Sequence, residues 1–248
     1  MTSEMPPLPV ARDCCLFLDV DGTLLDLAPT PDSVVVDEPL RALLRVLERK
    51  CDGALALVSG RPVATLDRVF DPLILPVAGI HGCERRDAHG HWLKPHFDDQ
   101  GFEEFRRSLL QEMAQLHGVL VEDKQYALAL HYRCVPALEA PLRAALAGLA
   151  ASMPDGLEVI EGDEVLEIKP ASHDKGTAIE AFLQEAPFAG RHPIFIGDDL
   201  TDQDGFAVVR RHLGMAIAVG SNVNSEWRLD NPREVRRWLT HFVTSRAS

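Results

Sequence analysis

Four short apolar runs punctuate the chain: CCLFL (14–18), ALALV (54–58), PIFI (193–196) and MAIAV (215–219), each followed within two residues by glycine or aspartate. Runs of this length that are apolar on both faces read as buried strands of a parallel sheet. Between them the spacing of apolar positions becomes helical, in EPLRALLRVLERK (38–50), in the stretch after Pro62 and in DKGTAIEAFLQEA (174–186). A last helix opens with Asn231 and Pro232, a capping residue followed by the residue best suited to the first helical position. Strands alternating with helices predict an α/β fold built on a doubly wound parallel sheet.

The middle of the chain has a different rhythm. QGFEEFRRSLLQEMAQLHG (100–118) and ALEAPLRAALAGLAASM (137–153) carry helical spacing, whereas YALALHYR (126–133) and LEVIEG (157–162) alternate like half-exposed strands. This pattern predicts a smaller α+β unit, residues 88–166, inserted into a sheet domain formed by 1–87 and 167–248.

Composition narrows the functional classes. With 46% apolar and 25% charged residues among 248, a sizeable core is available. Lysine and arginine number 25 against 38 aspartates and glutamates, a formal charge of −13 that disfavours nucleic acid and anionic membranes as partners. A small anionic substrate then needs local positive charge from a lysine, a helix N-terminus or a cation. The opening MTSEMPPLPVARD reads as a loose tail without the apolar core of a signal peptide, and no apolar run reaches 18 residues. Five cysteines, two of them adjacent at 14 and 15 inside an apolar run, suit reduced, buried thiols. The expectation is a cytoplasmic protein, monomeric or weakly homo-oligomeric, acting on a small molecule.

Chemistry gathers where the strands end. DVDGT (19–23) follows the first strand, at the carboxyl end where open α/β sheets place ligands, and puts Asp19 and Asp21 two residues apart; Gly22 lets the backbone turn close to a ligand. LVSGR (57–61) follows the second, offering the Ser59 hydroxyl beside Gly60. Lys175 sits in the first turn of a helix, unfavourable for a cation unless an anion binds there. FIGDDLTDQDGF (195–206) places Asp198, Asp199, Asp202 and Asp204 within seven residues, whose repulsion calls for a hard divalent cation, magnesium most readily. Each signal has an ordinary structural explanation: an acidic turn, loop chemistry, a solvated lysine, an acidic helix start. Their order at successive strand ends does not.

In that order the four motifs resemble the haloacid dehalogenase-like (HAD) phosphatase superfamily, whose core is a Rossmann-like sheet. The resemblance implies Asp19 as nucleophile, Asp21 as general acid and base, and Mg2+ held by Asp19, Asp198 and the backbone carbonyl of Asp21. It implies a phosphate cradle of Gly22, Thr23, Ser59, Gly60 and Lys175, with Asp199 and Asp202 orienting the metal's surroundings and Lys175. Charge neutralisation by the cation and Lys175 would let a carboxylate attack a phosphate dianion and form an aspartyl phosphate.

Further clusters, GIHGCE (79–84), VEDK (121–124), LHYR (130–133) and EIKP (167–170), are similar to the patterns of trehalose-6-phosphate phosphatases, a likeness that runs from Phe17 through Phe206. That family implies an inserted lid and contacts to sugar hydroxyls from Glu84, Lys124 and Glu167, with Arg61, His81 and Arg133 as further candidates near the substrate, trehalose 6-phosphate. Val20 stands where the family often has an aromatic residue, and Gln203 where an acidic one is frequent; neither is a reacting group. Two alternatives stay open: a phosphatase of another sugar phosphate, such as sucrose or mannosylglycerate phosphate, and a catalytically silent sugar-phosphate sensor.

Overall fold

A computed structural model describes residues 5–27, 34–94, 99–162 and 164–244. They form two compact units, residues 1–94 with 173–248, and residues 95–172.

The larger unit is an eight-stranded sheet. β1 (Cys14–Leu18) lies in its middle and every residue of it is buried. It pairs in parallel with β2 (Leu55–Val58) on one side and β10 (His192–Gly197) on the other. Beyond β2 come β3 (Val77–Gly79), then β4 (Glu84–Arg86) and β5 (Trp92–Leu93), the last two antiparallel. Beyond β10 come β11 (Met215–Val219) and β12 (Trp227–Leu229), both parallel. The chain therefore leaves β1 in one direction early and returns to its other side late, which makes the carboxyl end of β1 a topological switch point where α/β sheets leave a crevice.

Helices α1 (Glu38–Lys50), α2 (Val63–Phe70), α5 (Lys175–Leu183), α6 (Gln203–Arg211) and α7 (Pro232–Thr244) complete this unit. Their starts follow local chemistry: Asp37 accepts the Leu40 N–H at the head of α1, and Asp174 and Thr177 form a reciprocal cap on α5. The core beneath them joins Phe17, Phe182 and Phe188, with ring centroids 5.0–6.0 Å apart. Cys14, Cys15 and Cys51 are free thiols in the same core, and burial pushes them up to about 11, 12 and 12.

The smaller unit is a four-stranded antiparallel sheet in the order β6 (Leu120–Asp123), β7 (Leu128–His131), β9 (Val165–Pro170), β8 (Leu157–Gly162). Phe102, Phe105 and Leu109 of α3 (Asp99–Met113) and Leu142 of α4 (Glu139–Leu149) pack with Leu128, Leu130, Leu166 and Ile168. Because side chains alternate across a strand, the residues between those leucines point to the opposite face. The dividing points differ from the expected 88 and 166 for a hydrogen-bonding reason. The β4–β5 hairpin pairs with β3 and stays with the larger sheet, while β9 pairs with β7 and β8 and stays with the smaller.

The chain also departs from expectation at the described part of its N-terminal tail. Pro6 is buried and its carbonyl accepts the indole N–H of Trp238, 2.9 Å away, because a buried indole donor needs a partner. Among the described residues no helix is long and apolar enough to cross a membrane.

Phe182 meets two aromatic rings and the Arg85 guanidinium, 4.7 Å above it. Phe182→Ala is expected to lower stability by about 3–5 kcal/mol, read as a shift of the denaturant midpoint followed by circular dichroism.

Candidate active site

Parallel pairing of β1 with β10, Leu18 opposite Ile196, brings the residues that follow both strands to one edge. Asp19 is buried there, its backbone N–H donating to the Ile196 carbonyl at 3.0 Å. The ammonium of Lys175, from the first turn of α5, donates to Asp19 Oδ1 at 2.8 Å and to Asp202 Oδ1 at 2.6 Å. Asp202 is fully buried, and its other oxygen accepts the backbone N–H groups of Asp198 and Asp199, both at 2.9 Å. Asp199 turns its carboxylate to the Leu200 N–H and caps a single 3-10 turn. Thr23 donates its hydroxyl to Asp198 Oδ1 at 3.1 Å, so here it braces that carboxylate.

Glycine is required where these groups converge. A Cβ on Gly22, whose φ is +80°, would stand 2.0 Å from Asp198 Oδ2; one on Gly60 would stand 2.6 Å from His81 Nε2.

The charges are strained by burial. Asp19 is pushed up to about 6 by burial and by Asp202 and Asp21, with Lys175 opposing. Asp198 is pushed up to about 9 by burial and by the carboxylates of Asp19 and Asp202. Burial also opposes the charge on Lys175, yet Asp19 and Asp202 hold its pKa above the ordinary lysine range. One buried ammonium does not balance three carboxylates. Ligand oxygens of Asp19, Asp198 and Asp202 lie within 4.8 Å of one another, a donor set that fits a hard divalent cation. Since Asp202 is already engaged with Lys175 and two N–H groups, Asp19 and Asp198 are the pair suited to hold it.

Asp21 is set apart from this cluster. Arg61 grips it with two parallel bonds, Nε to Oδ2 at 2.5 Å and Nη2 to Oδ1 at 2.8 Å, a planar fork that fixes the carboxylate's direction. The Ser59 hydroxyl oxygen accepts the Arg61 N–H at 3.1 Å. His81 is buried in a left-handed conformation, φ 52°, directly after Ile80 at φ 48°, and its N–H donates to the Ser59 carbonyl. Glu84 is buried at the head of β4; burial raises its pKa, with the backbone of Val63 and the charge of Lys94 opposing.

In the smaller unit, Lys124 and Glu167 are both buried and form an ion pair of 2.9 Å. Register aligns Glu122, Ala129 and Glu167 across β6, β7 and β9, on the face away from the helices. Glu122 bonds His131 at 2.9 Å and feels the charges of Lys124 and Glu167. Glu122 is not singled out in the sequence, although it stands two residues before Lys124 in the same VEDK cluster. Arg133 lies after β7, half-exposed, with Glu164 at 3.3 Å.

A model of the trehalose-phosphatase family matches residues 17–236. The chain is 42% identical over 230 residues to the trehalose-6-phosphate phosphatase of Escherichia coli K12, covering 92% of this chain and 86% of that one. It is 46% identical over 209 residues to a probable trehalose-phosphate phosphatase of Sinorhizobium fredii, covering 84% and 78%. In fold it is similar to the C-terminal domain of the Candida albicans trehalose-6-phosphate phosphatase, with a TM-score of 0.83, 20% identity and coverage of 98% and 99%.

The raised carboxyl groups set a pH dependence. A carboxyl whose pKa is higher folded than unfolded binds its proton more tightly in the folded protein. Its stabilising effect is thus complete below the ordinary carboxylate range and is lost as pH rises through about 6 for Asp19 and about 9 for Asp198. A divalent cation takes over from those protons. The rise in Tm on adding millimolar magnesium to chelator-treated protein is expected to be small at pH 5 and larger at pH 8; an increment that shrinks with pH would contradict this charge balance.

Proposed function

The chain belongs to the trehalose-phosphatase family, and from that premise we propose that it hydrolyses trehalose 6-phosphate to trehalose and inorganic phosphate, the last step of trehalose synthesis, through an aspartyl phosphate on Asp19. The observation that carries the mechanism is the meeting of Asp19, Lys175, Asp198 and Asp202 at one buried strand end, with Asp21 held beside it by Arg61.

A phosphate dianion repels a carboxylate nucleophile, so positive charge must precede attack. Lys175 supplies one such charge against Asp19. Magnesium, held by Asp19, Asp198 and the backbone carbonyl of Asp21, would add charge neutralisation of the phosphoryl oxygens. Asp19 attacks phosphorus, the bond to the sugar oxygen breaks, and Asp21 delivers its proton to that oxygen. In the second half-reaction Asp21, now a carboxylate, takes a proton from water; the hydroxide attacks phosphorus and the bond to Asp19 breaks. Proton transfer of this kind contributes roughly 10²- to 10⁴-fold. Ser59, Thr23, Gly22 and Gly60 line the strand ends as phosphate ligands, Thr23 exchanging its bond to Asp198 for one to phosphate.

The sugar is read by groups able to both donate and accept hydrogen bonds. In the smaller unit these are Lys124 and Glu167, joined by Glu122, with the small Ala129 between the two glutamates leaving space on that face. Arg133 and His81 remain candidates for the ligand's periphery. Free thiols, four of the five buried, suit the cytoplasm.

The test is phosphate release from trehalose 6-phosphate, sucrose 6-phosphate, glucose 6-phosphate and mannosylglycerate phosphate, with magnesium and with chelator. Magnesium-dependent preference for trehalose 6-phosphate is expected, and no hydrolysis of any ester would leave a binding module instead. Asp19→Asn is expected to abolish turnover; retained turnover would remove Asp19 as nucleophile.

A further inference from the structure

The face of the smaller sheet that turns away from α3 and α4 carries its charges in a fixed order. Glu122 of β6 lies opposite Ala129 of β7, which lies opposite Glu167 of β9. The next row toward the start of β6 holds Leu120, His131 and Val165. His131 is thus the diagonal neighbour of Glu122, at a separation that two long side chains can bridge. Of the LHYR residues, Leu130 and Tyr132 join the core under the helices and Arg133 lies past the strand's end, so His131 is the one that strand alternation puts on this face.

Two pairings occupy the face. The Lys124 ammonium donates to Glu167 Oε2 at 2.9 Å, and Glu122 Oε2 meets His131 Nε2 at 2.9 Å. Side chains of the first pair are 7% exposed and those of the second 25% and 26%, so Glu122 is the carboxylate that a solute reaches more readily. Burial acts to raise the Glu122 pKa, but the His131 hydrogen bond and the Lys124 charge overcome it and hold the group below its ordinary value. An ionised carboxylate accepts only, so His131 Nε2 carries the hydrogen of this bond.

A partly exposed pair of this kind adds little to stability, and its consequence is direction. Glu122 feels attraction from Lys124 and repulsion from Glu167, which stands across Ala129, a methyl that offers no hydrogen bond. Without His131 the carboxylate would swing toward the Lys124 ammonium and compete with Glu167 for it. His131 holds it on the opposite side through one oxygen, and the other oxygen can accept from a hydroxyl.

We propose that His131 is a positioning residue for recognition of the sugar: by donating from Nε2 to Glu122 it keeps that carboxylate off the Lys124–Glu167 pair and aimed at a sugar hydroxyl. This assignment rests on the phosphatase reading above, which wild-type turnover of trehalose 6-phosphate tests separately.

The experiment is steady-state kinetics with magnesium on trehalose 6-phosphate and on p-nitrophenyl phosphate, an ester without a sugar, for His131→Ala, His131→Phe and His131→Gln, with His131→Ala repeated in a Glu122→Ala background. Alanine removes the ring, phenylalanine keeps its bulk without the N–H, and each is expected to lower kcat/KM for trehalose 6-phosphate about 10-fold, mainly through KM. The preference for trehalose 6-phosphate over the sugar-free ester is expected to fall by the same factor. The glutamine amide places an N–H near the position of Nε2, so His131→Gln is expected to recover most of the loss. With Glu122 already removed, His131→Ala is expected to cost nothing further. Wild-type kinetics in both His131→Ala and His131→Phe would overturn the proposal. So would an equal fall on both esters, which marks a structural residue, or a His131→Ala loss that multiplies with that of Glu122→Ala, which marks an independent one. Should His131→Ala fail to fold, His131→Phe with and without Glu122→Ala decides between the same outcomes.

Discussion

Two aspartates are forced together because their strands are neighbours. Asp19 follows β1 and Asp198 follows β10, and the parallel register of those strands leaves the two carboxylates at the same edge. Nothing in that pairing is favourable electrostatically, and burial makes it worse, as the elevated pKa values of both groups record. The surrounding structure is arranged around the problem. Lys175 is drawn between Asp19 and Asp202, Asp202 gathers two backbone N–H groups, and Gly22 is bare so that the first loop can pass against Asp198. A cation and a phosphate would offset that cost, which ties the strain to the chemistry proposed for the site.

A second set of buried charges has another purpose. Ion pairs such as Arg86 with Asp67 and Arg85 with Glu185 contribute little net stability once desolvation is counted, but each demands one geometry. In this fold they fix α2 and α5 relative to β4. Those helices begin two residues after Arg61 and with Lys175, the two cations that meet Asp21 and Asp19. The short charged strand thus sets, from one side of the sheet, the placement of the cations that meet Asp21 and Asp19.

The smaller unit solves a different problem with the same periodicity. Leucines and isoleucine on alternate positions of β7 and β9 bury one face under α3 and α4. The other face is left for Glu122, Lys124 and Glu167, where one ammonium offsets one of two carboxylates and the group keeps donors and acceptors suited to a polyol.

The sequence by itself determined the central strands, the helices with strong caps, and which acidic and basic groups stand at the strand ends, because each is a local signal. CCLFL is apolar on both faces, Asn231 announces a helix start, and DVDGT, SGR and GDDLTD sit directly after buried runs. β3 and β12 are three residues long and leave no periodicity to read, and β4 is invisible to an apolar search because its burial rests on ion pairs with residues 19 and 100 positions away. β9 was divided between units because only its pairing with β7 and β8 says where it belongs. In the site, sequence named Asp21 and Arg61 without joining them, and gave Arg61 only as a candidate near the substrate. Tertiary structure decided that Arg61 faces Asp21, since the partners of a buried charge are chosen by which elements pack together.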